Sequence, residues 1–371
     1  MNAIQLNIYS VALLLGFIQG ALYAILLWIR GYRNERISDT LLGFLLLALC
    51  IEVVPYMLGF MGINVLWQEL YFFPHNLGLL IGPFFYLYFF SQTTPNFQLR
   101  LSQYWHFVPF IFFFLYHIIV FSLGHDFVVQ WDEGIQRGYH IGFLEQLLTF
   151  VSNVSYLIIS YNYYRKFRSW APSAFSDLET VSFSWFRDLI VLFLAGIMVS
   201  WGMEIFDHFA SLDYAQDWWD KVIIVIIIYF VSISGYHQQQ PKLTAIADDS
   251  TNKTKLSLAP EDVESIRTTL IALMERDKLY LQSDLTLGDM ARLANTNSSR
   301  LSFVLNNFFE KSFNDFVNDY RVNEVVDLLE KGRGEQLSLL GVAYECGFSS
   351  KSTFNRAFKR QKGVTPKEFL K

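Results

Sequence analysis

Cysteine and charge are what this sequence has least of. Its two cysteines, Cys50 and Cys346, stand far apart and without metal-ligand spacing, which excludes a disulfide framework and a thiolate metal site. Charged residues make up 17% of the chain, against about 25% in ordinary soluble domains. The shortage is local. Residues 1–254 hold 12 Lys+Arg and 18 Asp+Glu, whereas residues 255–371 hold 17 and 16. The net charge of −5 therefore averages two unlike halves and carries no argument about partners. HExxH, GxSxG and Gly-rich phosphate loops are missing, as is an inverted repeat. No catalytic site, cofactor or metal ion is expected.

What fills the first half is apolar sequence. A helix that spans a bilayer needs about 20 mostly apolar residues. Seven such stretches are found: Ile4–Ile29, Ser38–Met61, Leu70–Phe90, Tyr104–Leu123, Ile141–Tyr163, Phe186–Phe206 and Trp218–Tyr236. The first lacks a basic n-region and a small-residue cleavage site, so it reads as a retained helix. Pro55, Pro74 and Pro83 fall inside spans, which membrane helices tolerate. Arg30, Arg33 and Arg36 follow the first span, Arg100 the third, and Arg165, Lys166 and Arg168 the fifth. The alternate loops are poor in basic residues. By the positive-inside rule the N-terminus is outside and everything after the seventh span is cytoplasmic. Among the ionisable residues at membrane depth, Glu52, Glu145 and Glu204 are the candidate lining of a polar cavity for a small-molecule or envelope signal; His75 and His117 complete the set. A retinal site would need a lysine deep in the last span, and Lys221 stands at its entrance.

After Tyr236 the composition turns polar. Residues 237–259 (HQQQPKLTAIADDSTNKTKLSLAP, read on to Pro260) are a flexible linker, whose roughly 22 residues span about 25 Å. From Pro260 to residue 371 the periodicity is helical. Val263, Ile266, Leu270 and Leu273 share one face of a first helix. In TLGDMARLANTNSSRLSFVLNNFF, Thr286 caps a short helix ending near Ala294, Asn295 and Asn297 make the turn, and a second helix follows. In SLLGVAYECGFSSKSTFNRAFKR the pattern recurs: Ser338 caps, Gly347 permits the turn, Ser349 caps the second helix, and Phe348, Phe354 and Phe358 face inward. FNDFVNDYRVNEVVDLLEKG reads as one long helix between the two. Together these give an all-α fold class: a seven-helix transmembrane bundle (1–236), the linker, and a domain of two helix-turn-helix modules (260–371).

The stretch from about Leu285 to Leu370 resembles the AraC/XylS family DNA-binding domain. AYECGFSSKSTFNRAFKRQKGVTPKEF carries the resemblance, through Ala343, Gly347, Phe348, Ser352, Phe354, Phe358, Lys359, Gly363, Thr365, Pro366 and Phe369. The resemblance implies a bacterial transcription regulator whose partner is double-stranded DNA. It covers about a quarter of the chain.

Residue chemistry points the same way, because a recognition helix shows polar and basic side chains to base edges and phosphates. Candidates in the second module are Lys351, Ser352, Thr353, Asn355, Arg356 and Lys359. Residues 351–371 hold seven Lys+Arg against one acid, Glu368, a basic patch suited to phosphate. In the first module the candidates are Ser298, Ser299, Arg300, Ser302 and Asn306. The family often has basic residues where Phe303, Asn306 and Asn307 stand, so this module is expected to add less phosphate affinity. The expected protein is a multi-pass regulator of the bacterial inner membrane, controlled by a signal sensed at or in the bilayer. Two alternatives stay open: a transporter-like protein with a regulatory DNA-binding tail, and an anchored regulator freed by proteolysis in the linker. Pairing of two copies through the bundle has no decisive signature.

Overall fold

The computed structural model describes residues 6–63, 72–94, 97–178, 184–210, 218–238 and 258–370. The regular elements among these are all helices, and no strand forms among them; a bridge pairs Phe175 with Thr286 in antiparallel sense. The chain divides into two compact units. The bundle unit takes Met1–Tyr164 and Ser184–Gln240, and the C-terminal unit takes Pro241–Lys371 together with Arg165–Phe183.

The bundle unit contains α1 (Ile8–Arg33), α2 (Ile37–Phe60), α3 (Gly78–Thr93), α4 (Leu101–Ser122), α5 (His125–Trp131), most of α6 (Ile141–Ala174), α7 (Ser184–Ala210) and α8 (Trp218–His237). Six of these, α1, α2, α4, α6, α7 and α8, hold a stretch long and apolar enough to cross a bilayer. The third expected span is different. Residues 70 and 71 lie outside the described residues, and Phe72–Leu77 are not helical. Phe72 has φ +66°, Pro74 offers no N–H, and the Glu52 carboxylate accepts the Leu77 N–H at 2.9 Å. Helix starts only at Gly78 and runs 16 residues. In contrast, α6 runs on to Ala174, past the expected end at Tyr163.

Small residues set the spacing of α1 and α8, as membrane helices without a hydrophobic drive between them require. A Cβ on Gly16 would land 2.7 Å from Val225. At one end of this pair the Arg30 guanidinium binds Asp39 at 2.7 Å and donates to the Tyr236 carbonyl at the end of α8. The first arginine-rich loop and the exit from α8 thus lie at the same end of the bundle.

The C-terminal unit has α9 (Pro260–Glu275), α10 (Leu287–Leu293), α11 (Ser298–Phe308), α12 (Phe313–Glu330), α13 (Leu339–Glu345), α14 (Lys351–Lys362) and α15 (Pro366–Phe369). Two cores form. Val263, Ile266, Leu270, Met290, Leu301 and Val304 pack with Phe313, Phe316 and Val317 of α12. Leu273 is only partly buried there, and Met274 takes the innermost place. Val322 and Val325, one turn further along α12, pack instead with Val342, Ala343, Phe348, Phe354 and Phe358. One helix therefore carries both modules.

Candidate nucleic-acid interface and bundle cavity

Local chemistry builds each module from its caps. Thr286 accepts the Asp289 N–H, Asn297 the Arg300 N–H and Ser338 the Gly341 N–H, each satisfying an orphan donor of a helix start. The cap of α14 is Ser350, not Ser349: its hydroxyl accepts the Thr353 N–H. Asn295 turns the first module at φ +49° and Gly347 the second at φ +87°. A side chain on Gly347 would meet the Leu281 carbonyl 2.8 Å away, so glycine serves here both a left-handed backbone and a close approach.

On α14 the faces separate cleanly. Phe354, Ala357 and Phe358 are buried, while Lys351, Ser352, Asn355, Arg356 and Lys359 are exposed. No ion pair among the described residues holds Lys351, Arg356 or Lys359, which leaves their charge for phosphate or base edges. Thr353 departs from the expected set. It is 2% exposed, because three residues past the cap its hydroxyl turns inward to the Asp177 carboxylate at 3.5 Å. Arg360, part of the basic patch in sequence, binds Asp315 and Asp319 on α12.

On α11, Arg300 and Asn306 are exposed and Ser298, Ser299 and Ser302 are half-buried. Arg300 lies 3.6 Å from Asp262, and Asn306 donates to the Ser302 hydroxyl at 3.2 Å. Phe303 packs against the first core. The first module thus offers fewer unpaired cations than the second. Cys346 is buried, and burial pushes its thiol up to about 12, so it is a packing residue and no nucleophile.

Residues 290–371 match the family model described as a helix-turn-helix domain. The match is consistent with the resemblance of this part of the chain to the AraC/XylS DNA-binding domain. The match spans most of both modules and leaves the bundle unassigned. No curated protein and no solved structure matches the chain. The match supports DNA binding and transcription regulation by this domain, and the apolar helices are compatible with membrane association.

The bundle holds a cavity of about 350 Å³ lined by Glu52, Asn76, Asn153, Trp201, Asp220 and Lys221, among others. Lys221 binds Asp220 at 2.5 Å and lies 4.4 Å over the Tyr56 ring. Glu52 lines the cavity. Glu145 stands behind it: its oxygens bind Asn76 at 3.1 Å and His117 at 2.9 Å. The Glu204 side chain lies outside the described residues. Sequence reading missed Asp220 and Lys221 because they sit at the start of a span, where charge is ordinary. Among the described residues no group of His, Cys, Asp and Glu has the arrangement of a metal site.

Proposed function

We propose that this protein is a membrane-anchored one-component transcription regulator: it binds double-stranded DNA sequence-specifically, and a signal received in or beside the bundle controls that binding. The observation that carries this reading is the exposed face of α14, with Lys351, Asn355, Arg356 and Lys359 opposite a buried phenylalanine face, in a chain whose described residues also hold six membrane-length helices. Arginine and asparagine suit bidentate contact with guanine and adenine. Two modules on one helix address major-groove faces about 34 Å apart.

A cytoplasmic location for the domain is supported by charge and by geometry. Arg30 meets the end of α8, so the loop richest in arginine shares an end with the exit toward the domain. The other arginine-rich segment, Arg165–Phe183, lies in the C-terminal unit itself. The cavity at Glu52, Asp220 and Lys221 has the polar lining that suits a small polar signal. Ligand control then requires different affinity of that site for two bundle states. Pairing of two copies through the bundle belongs to the same proposal.

The test is a genome-wide DNA-occupancy map in cells, with and without envelope stress. Discrete sites are expected, to be lost in Arg356→Ala with membrane insertion unchanged. Glu52→Gln should keep the sites and lose their response to stress. Unchanged footprints in Arg356→Ala would sink the interface assignment, and a normal stress response in Glu52→Gln would sink the cavity as receiver.

A further inference from the structure

The C-terminal unit holds a slot filled by a segment remote in sequence. Phe175, Ser176 and Asp177 follow directly on Ala174, the last residue of α6, and all three are buried. Ser176 is fully enclosed and every polar atom of it is met. Its N–H and hydroxyl both donate to the Leu285 carbonyl, at 3.3 and 2.7 Å. Its carbonyl accepts Asn314 Nδ2 at 2.7 Å, Asn318 Nδ2 at 3.3 Å and Arg321 Nη1 at 3.5 Å, and its hydroxyl accepts Arg321 Nη2 at 3.2 Å. Asn314, Asn318 and Arg321 stand at i, i+4 and i+7, one face of α12. The Phe175 carbonyl takes a second bond from Asn314, at 3.3 Å. The Asp177 carboxylate accepts the hydroxyls of Ser349 and Thr353 at the start of α14.

Three residues thus touch the first module just before α10, the shared helix, and the start of the recognition helix of the second. The contacts are polar, directional and specific in size, as in a peptide-binding site. We infer that Phe175–Asp177 is a clasp, an intramolecular peptide ligand of the double helix-turn-helix domain, whose docking fixes the two modules in the setting that engages DNA. Each module has its own core; apart from α12 they meet where Gly347 approaches the Tyr280 and Leu281 carbonyls, and the three docked residues add a further bridge that restricts their relative motion. Modules already held in register lose less freedom on binding two adjacent groove faces. Since the clasp is covalently continuous with α6, a membrane-length helix, a shift of α6 acts on it directly. This inference rests on the DNA-binding reading above and names the regulation of that same interface.

The experiment uses the full chain in phospholipid nanodiscs and a fragment from the occupancy map. Asp177→Lys should weaken DNA binding about tenfold by releasing the clasp. The pair Asp177→Cys with Ser349→Cys should form a disulfide under mild oxidant, absent from either single variant, and the oxidised protein should bind DNA as the wild type does. Equal affinity of Asp177→Lys and wild type overturns the clasp, as does a locked protein that fails to bind, or a pair that does not crosslink. Loss of binding in Asp177→Lys counts for the clasp only if thermal unfolding shows the domain still folded; if it is unfolded, the locked pair decides. Absence of DNA binding by the wild type would overturn the functional reading instead, and the crosslink would still decide whether the segment docks.

Discussion

A lysine on the outer face of α14 gains DNA affinity mainly by displacing counterions condensed on the phosphates, a term that falls as salt rises. Lys359 is exposed and in no ion pair among the described residues, so Lys359→Gln should lower the slope of log affinity against log salt by about 1. Arg360, its neighbour, is already neutralised by Asp315 and Asp319, and Arg360→Gln should leave that slope nearly unchanged. Titrations from low to physiological salt check both; a larger slope change for Arg360 would mean that its carboxylates release it to DNA. The difference between these two cations was not legible in the sequence, where both belong to one basic run. The pairing depends on α12 lying beside α14, a contact no local pattern encodes. Thr353 was unreadable for a related reason, since its partner Asp177 is remote in sequence. Phe348, Phe354 and Phe358, in contrast, were legible as core because their spacing alone defines a helix face.

At the scale of elements, α12 decides how the domain comes apart. Its first half is buried in one core and its second half in the other, so melting either module exposes part of the same helix. Phe358 is fully buried, and Phe358→Ala should cost about 3–5 kcal/mol. Amide exchange should then quicken around Leu301 and Val304 as well as around α14. Quickening confined to α13 and α14 would show that the modules unfold independently. Short helices with a capping hydroxyl or amide at the right offset, such as those begun by Thr286, Asn297 and Ser338, were readable to within a residue. Two membrane elements were not. Helix α3 starts late because Phe72 adopts a left-handed backbone and Glu52 caps Leu77, and α6 continues through a polar stretch that composition marks as loop.

At the scale of the whole molecule, the C-terminal unit takes in a segment that lies well before the compositional break after Tyr236. Arg165–Phe183 follows a membrane-length stretch and reads as a basic loop, yet it belongs to the same compact unit as the domain. Its buried residues were invisible in sequence because Ser176 and Asp177 are ordinary loop residues until their partners are known. This arrangement bears on release by proteolysis. The clasp lies between α6 and α7, upstream of any cut in residues 239–257, so hydrolysis of the linker removes the covalent tether and keeps a non-covalent one. A domain severed there behaves as a receptor still holding its immobilised ligand, at the high local concentration that a common origin confers. With a protease site placed in the linker, the severed domain should sediment with the membranes, and Asp177→Lys should send it to the soluble fraction. If the wild-type domain leaves the membrane on cutting alone, the clasp is too weak to retain it. Retention makes two events necessary for escape, a cut and an undocking. A chance nick would then leave transcription untouched, and the cell would respond only when damage to the chain coincides with a signal through α6.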